Sequence, residues 1–94
     1  MERRVVITGM GAVSPIGNDV DTFWNSLING KSGIGPITLF DVSDYPCKIG
    51  GEVRDLDMPS FFNSPKDSRR SDRYINLGMA AAKMAWADSG VDHA

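Results

Sequence analysis

Residues 4–17 read RVVITGMGAVSPIG, and this stretch decides the predicted fold class. Residues 5–8 form a short, largely β-branched run with arginine before it and glycine after it. An uninterrupted run of this kind is typical of a strand buried on both faces, as in a parallel sheet. Gly9 and Gly11 are then expected to turn the chain, and a loop with Pro15 and Gly17 follows. The stretch therefore predicts an α/β protein.

A helix is predicted directly after this stretch. Asn18 can cap its amino terminus, and Asp19 and Asp21 place negative charge at the positive end of the helix dipole. Gly30 is a natural end for the helix. The apolar residues recur at the i, i+3, i+4, i+7, i+8 spacing of one helical face, and they are Val20, Phe23, Trp24, Leu27 and Ile28.

Regular structure is predicted to be sparse between residues 32 and 63, where most of the prolines lie. One short strand is predicted at residues 47–53. Gly50 and Gly51 inside it indicate a bulge or a close backbone contact.

A second helix is predicted for residues 65–89, with Ser64 as its cap and Gly90 as its end. Between residues 74 and 87 this helix is apolar around most of its circumference, so it needs cover on several sides. That requirement predicts a piece of a larger protein or a dimer interface. Close approach of neighbouring elements is expected at the small residues Gly78, Ala81, Ala82 and Ala85.

Composition sets the class of protein. The 94 residues are 41% hydrophobic and 23% charged, which is ordinary for a globular domain. The net charge of −2 gives no pull toward nucleic acid or a membrane surface, and no apolar run approaches the ~20 residues of a transmembrane helix. The single cysteine, Cys47, cannot form an internal disulfide, which fits a reducing compartment. The apolar run after Arg3 and Arg4 is too interrupted for a signal peptide, so a cytoplasmic protein is expected.

Two glycine motifs suggest phosphate binding, and neither has the required context. Gly9-Met10-Gly11 lacks a third glycine, since Ser14 stands at that place, and a loop separates it from the helix. Gly30-Lys31-Ser32 follows a helix, whereas a phosphate-binding loop precedes one. We expect no cofactor.

The candidate catalytic side chains have simpler structural interpretations. Cys47 has no predicted base beside it, and His93 lies at the end of the chain. Asp55 and Asp57 are expected to solvate a turn. The two tryptophans, at positions 24 and 86, lie on apolar helical faces and are expected in the core. No cluster of histidine and cysteine predicts a metal site.

The order of the motifs resembles the elongating β-ketoacyl-[acyl carrier protein] synthases, close to type II. The similarity covers nearly the whole chain, with the family's order and gaps. Its pieces are residues 4–17, Phe23-Trp24, residues 30–34, Phe40-Asp41, Gly51-Glu52-Val53 and residues 69–74.

The resemblance implies a thiolase-like fold, in which two similar α/β halves stack as five layers and pair as a homodimer. Residues 1–94 would be the N-terminal segment of the first half. The implied reaction is a decarboxylating condensation of a cysteine-bound acyl group with malonyl-[acyl carrier protein], assisted by two histidines. Cys47 does not match the family's nucleophile, and His93 matches neither histidine. No catalytic residue is therefore assigned, and the 94-residue chain alone is expected to be inactive.

The resemblance also implies one binding site on this chain. Lys66, Arg69 and Arg70 match positions that meet the acidic recognition helix of acyl carrier protein in relatives. On a helix beginning at Pro65, Arg73 would complete the same basic face by spacing alone. These four residues form the predicted carrier-protein site.

Three other functions stay open at this stage. The same motifs occur in polyketide ketosynthases. A ketosynthase-like subunit without its nucleophile would set chain length and catalyse nothing. A free-standing α/β interaction domain is the third alternative, although it would leave the apolar second helix uncovered.

Overall fold

The computed structural model describes residues 2–61 and 72–91, and the chain divides into two compact units. One unit comprises Met1–Gly11 with Met58–Ala94, and the other comprises Ala12–Asp57. Helices and strands are both present, so the mixed α and β composition is as predicted. The elements in chain order are α1 (Val20–Ile28), β1 (Ile34–Pro36), β2 (Ile49–Gly51), a 3-10 helix (Met58–Phe61) and α2 (Arg73–Ser89).

Helix α1 lies where the apolar spacing predicted it, but its cap is a different residue. Asp19 has an extended backbone, and its Oδ1 accepts a hydrogen bond from the Thr22 N–H at 2.7 Å. Asn18 instead donates from Nδ2 to the Arg54 carbonyl oxygen at 2.6 Å. The prediction of Asn18 as the cap is therefore wrong by one residue. The helix ends before Gly30, whose φ of 67° only glycine adopts readily.

Strands β1 and β2 pair as a two-stranded antiparallel sheet. The register is regular, with Gly35 opposite Gly50 and Ile34 opposite Gly51. The strand predicted at residues 47–53 is confirmed in its centre, whereas β1 was not predicted. The register contains no bulge. The alternative, a close contact, is confirmed at Gly51, where an added Cβ would lie 2.9 Å from Pro15 Cγ.

The strand predicted at residues 5–8 is not formed. Within residues 2–61 and 72–91, no other strand pairs with this segment. A strand exists only when a neighbour satisfies its N–H and C=O groups, and a β-branched run does not supply that neighbour itself. The side chain of Val5 is accordingly 95% exposed.

Gly9 and Gly11 provide close contact with α2 and do not form a left-handed turn. A Cβ on Gly9 would collide with the Ala85 carbonyl oxygen, and a Cβ on Gly11 would collide with the Ala81 carbonyl oxygen. Neither glycine has a positive φ. The prediction that Ala81 and Ala85 allow close approach is confirmed, while Gly78 has no such neighbour in the described chain.

Helix α2 begins at Arg73, because the backbone of Asp72 is extended. The prediction of one uninterrupted helix over residues 65–89 is therefore wrong at Asp72. Its predicted first turn and the Ser64 cap lie outside the described residues. The predicted end is confirmed, since Gly90 adopts a left-handed conformation with φ 69° and its N–H bonds to the Ala87 carbonyl oxygen.

Little apolar surface is buried in either unit. Among the described residues, Ala80 on α2 is the one buried hydrophobic side chain, and Asn76 lies buried one turn before it. Trp24 is 57% exposed and Trp86 is 48% exposed, so the prediction that both belong to a core is wrong for the described chain. The predicted cover for α2 is present in part, at Ala80 and where Gly9 and Gly11 approach the helix, while Trp24, Leu27 and Ile28 of α1 stay exposed in the described chain.

Candidate functional site

The predicted carrier-protein site lies mostly outside the described residues. Lys66, Arg69 and Arg70 lie outside the described residues. Arg73 is the first residue of α2 and is exposed. The binding role of all four residues remains a prediction.

Cys47 is an exposed free thiol. Its Sγ lies 3.4 Å from the carbonyl oxygen of Ile49, where it can donate a weak hydrogen bond. A cysteine nucleophile needs a base or a helix amino terminus to form its thiolate. Residues 2–61 and 72–91 contain no histidine, and His93 lies outside them. The arrangement around Cys47 therefore offers a surface thiol and no activated nucleophile.

Asp55 and Asp57 are both exposed, as expected of loop residues. Asp55 has a φ of 62°, a left-handed conformation that few residues other than glycine adopt. It lines an open cavity of about 450 Å³ next to the amino terminus of α1. Charged residues of both signs line this cavity, so it does not favour a cation or an anion: Asp19, Lys31, Arg54 and Asp55.

A buried carboxylate, Glu52, is the best-connected polar group in the described chain. Its side chain follows β2 and is only 7% exposed. Its oxygens accept hydrogen bonds from the N–H of Thr38 at 3.0 and 3.1 Å, the Thr38 hydroxyl at 3.0 Å and the N–H of Leu39 at 2.8 Å. Arg54 Nη2 forms an ion pair with Oε1 at 3.1 Å.

The electrostatics of Glu52 follow from these contacts. Burial by itself raises the pKa of the carboxyl, but the N–H donors of Leu39 and Thr38, the Thr38 hydroxyl and the Arg54 charge outweigh it. The resulting pKa lies below the ordinary value of 4.5, so Glu52 is an anion at neutral pH. Sequence reasoning missed this cluster. The one available signal was a charged residue next to the apolar Val53 in a predicted strand.

Lys48 carries a positive charge and lies directly before β2, whereas Glu52 lies directly after it. Its Nζ donates to the carbonyl oxygens of Val42 and Ser43 at 3.0 Å and of Tyr45 at 3.1 Å. An ammonium group has three N–H donors, so these three acceptors use all of them.

The contacts of Glu52 and Lys48 do not form a metal site, and no group of three histidine, cysteine or acidic side chains comes together in the described parts of the chain. The described helices include none long and apolar enough to cross a membrane.

Comparison with known proteins covers the whole chain. The family described as beta-ketoacyl synthase, N-terminal domain, matches residues 2–94. The chain is 48% identical over 91 residues to the 3-oxoacyl-[acyl-carrier-protein] synthase 2 of Coxiella burnetii. The aligned residues are 97% of this chain and 22% of that protein. It is 44% identical over 88 residues to the synthase of the same name from Synechocystis, covering 94% of this chain and 21% of that protein.

The matched range, residues 2–94, takes in both units of the chain. The chain spans about a fifth of the length of the curated relatives it matches. The family resemblance found in the sequence motifs is confirmed by matches of this identity over nearly the full chain. This chain therefore belongs to the beta-ketoacyl synthase family, to whose N-terminal domain it corresponds.

Proposed function

We propose that the protein containing this chain is a decarboxylating 3-oxoacyl-[acyl-carrier-protein] synthase of fatty-acid elongation. The supporting observation is the 48% identity to a synthase of that name over 97% of the chain. Residues 1–94 are then the N-terminal segment of the first half of a thiolase-like fold, in a cytoplasmic homodimer. The exposed apolar faces of α1 and α2 support that placement, because each requires cover from another part of a larger assembly.

The proposed reaction has two stages. The acyl group passes from its carrier to an enzyme cysteine, and the carrier thiol leaves. Malonyl-carrier protein then loses carbon dioxide, and its carbanion attacks the acyl thioester and displaces the cysteine thiolate. Cys47 is not the nucleophile in this proposal, because its exposed thiol has no base among the described residues.

A direct assay tests the activity. The full-length protein is incubated with acyl- and malonyl-carrier protein, and 3-oxoacyl product and carbon dioxide are measured. We expect both products in equal amounts, and none from the 94-residue chain. If the full-length protein lacks decarboxylation or condensation, the result would favour a ketosynthase-like subunit that only sets chain length. Condensation by the 94-residue chain would contradict the expectation that this segment is inactive without the rest of the enzyme.

The contribution of this chain to the reaction is proposed to be carrier docking. Lys66, Arg69 and Arg70 match the carrier-binding positions of the family, and acyl carrier protein is the implied partner. Exposed cations act on an acidic partner mainly by steering its approach, and salt screens them. Arg73 is the weakest member of the site because its predicted helical spacing supports it and a match to the family's carrier-binding positions does not.

Charge reversal tests the docking site. Replacing Lys66, Arg69 and Arg70 together with Glu in the full-length enzyme should raise the KM for carrier-bound substrates about tenfold or more at low ionic strength. Turnover of a small acyl-thioester without carrier should stay unchanged. Lys31→Glu serves as the control, because it reverses an exposed cation in the other unit. Equal losses with both substrates would show that the three residues are structural.

A further inference from the structure

The loop between β1 and β2, residues 37–48, presents apolar side chains to solvent. Leu39, Phe40 and Tyr45 are 56%, 58% and 57% exposed. The rings of Phe40 and Tyr45 meet edge to face, with centroids 6.1 Å apart and an interplanar angle of 87°. Two three-residue strands flank the loop. Burial of apolar side chains therefore cannot be what holds it in one conformation.

The first part of the loop is held through its N–H groups. Thr38 and Leu39 both direct their backbone N–H to the buried carboxylate of Glu52. Arg54 binds Glu52 Oε1 and also donates to the carbonyl oxygen of Pro36, the last residue of β1, at 3.2 Å. Hydrogen bonds to a charged acceptor are stronger than those between neutral groups. The carboxylate thus ties the exit of β1 to the strand that follows the loop.

The second part of the loop is held through its C=O groups. Lys48 Nζ is bonded to three carbonyl oxygens between residues 42 and 45. The N–H of Tyr45 closes the same turn onto the Val42 carbonyl oxygen at 3.0 Å. The carboxylate of Glu52 therefore accepts from backbone N–H groups in the first half of the loop, and the ammonium of Lys48 donates to backbone carbonyl groups in the second half.

We propose that Glu52 and Lys48 form a pair of opposite-charge clamps that lock loop 37–48 in one conformation. Each clamp supplies the backbone with partners that neither strand pairing nor a packed core provides. The proposal concerns this loop alone and does not depend on the proposed activity.

Hydrogen exchange of backbone amides in the full-length protein tests the clamps separately. Glu52→Gln keeps the size of the side chain and removes its charge. Lys48→Met keeps an unbranched side chain, shorter by one heavy atom, and removes the ammonium. Asp44→Asn is the matched control, because it removes an exposed charge from the same loop. Amides of α1 report whether the rest of the unit is affected.

Each variant should loosen its own half of the loop. Glu52→Gln should speed exchange at Thr38 and Leu39 at least about tenfold, the scale of losing hydrogen bonds to a charged group. Lys48→Met should speed exchange at Tyr45 more than at Thr38 or Leu39. Asp44→Asn should change none of them. Unchanged exchange in both clamp variants would overturn the proposal. Equal acceleration of the loop and α1 would also overturn it, because the two side chains would then stabilise the whole unit and not the loop.

Discussion

Each of the two units of this chain contains one kind of internal contact that a single substitution can test. In the unit built from residues 2–11 and α2, Gly9 and Gly11 lie directly against the backbone of the helix, and the contact depends on the absence of side-chain atoms. In the unit Ala12–Asp57, charged side chains supply the partners of loop backbone groups. Glu52 binds the N–H groups of residues 38 and 39, and Asp19 binds that of residue 22. Added volume at Gly11 should therefore disturb the first unit, and lost charge at Glu52 should disturb the second.

The largest expected effect comes from adding one methyl group at Gly11. In Gly11→Ala the new Cβ would lie 2.8 Å from Met84 Cβ and 2.9 Å from the Ala85 nitrogen, besides colliding with the Ala81 carbonyl oxygen. Backbone atoms cannot rotate away, so the full-length protein should lose about 2–3 kcal/mol of unfolding free energy, the upper part of the range for overpacking. Urea denaturation measures the loss.

Gly35→Ala is the matched control for this prediction. Gly35 lies in β1, and a Cβ there would meet no atom within 4 Å. The same denaturation should place this variant within about 0.5 kcal/mol of the parent protein, as for other open positions. Equal losses at Gly11 and Gly35 would mean that the close contact with α2 does not decide the stability of this region.

A smaller effect is expected from acid, and Glu52 should account for part of it. The folded state holds the pKa of Glu52 below its ordinary value of 4.5. For a lowered carboxyl pKa, the stabilisation is fully present above the unfolded-state value and is lost as the pH falls through the folded-state value. The unfolding free energy of the parent protein should therefore fall as the pH is lowered below about 4.5 and through the folded-state pKa of Glu52. In Glu52→Gln that fall should be smaller.

Denaturation at a series of pH values from neutral to acidic measures this difference. Asp44→Asn should follow the parent curve, because Asp44 is an exposed carboxylate without the buried setting of Glu52. Parallel curves for the parent and Glu52→Gln would show that the carboxylate does not stabilise the loop. Because Gly11→Ala removes no charge, its curve should lie lower at every pH and keep the parent's shape.

The smallest effect is expected at Cys47. The thiol is exposed and lies outside both kinds of contact, so Cys47→Ser should change the unfolding free energy by less than about 0.5 kcal/mol. Condensation by the full-length enzyme should persist in this variant, and a maleimide reagent should no longer label that position. Loss of acyl-enzyme formation in Cys47→Ser, with the fold intact, would identify Cys47 as the nucleophile and contradict the interpretation of it as a surface thiol.

Local patterns were sufficient for several elements of this chain. The spacing of Val20, Phe23 and Leu27 places α1, and Gly90 ends α2, because both signals act within one or two helical turns. The cap of α1 was misplaced by one residue. Asn18 and Asp19 are both residue types that cap helices well, so local preference does not choose between them. In the structure Asp19 caps the helix, and Asn18 donates to the Arg54 carbonyl oxygen, 36 residues away.

The amino-acid sequence by itself determined the family, the presence of the two helices, and two of the small residues, Ala81 and Ala85, that other parts of the chain contact on α2. Tertiary structure alone decided which backbone groups find partners. Residues 5–8 are not a strand because no neighbour pairs with them in the described chain, and β1 exists because residues 49–51 lie beside it. The partners of Glu52 lie 13 and 14 residues before it. Contacts between residues so distant along the chain have no periodicity to reveal them, since they arise only once the fold brings donor and acceptor together.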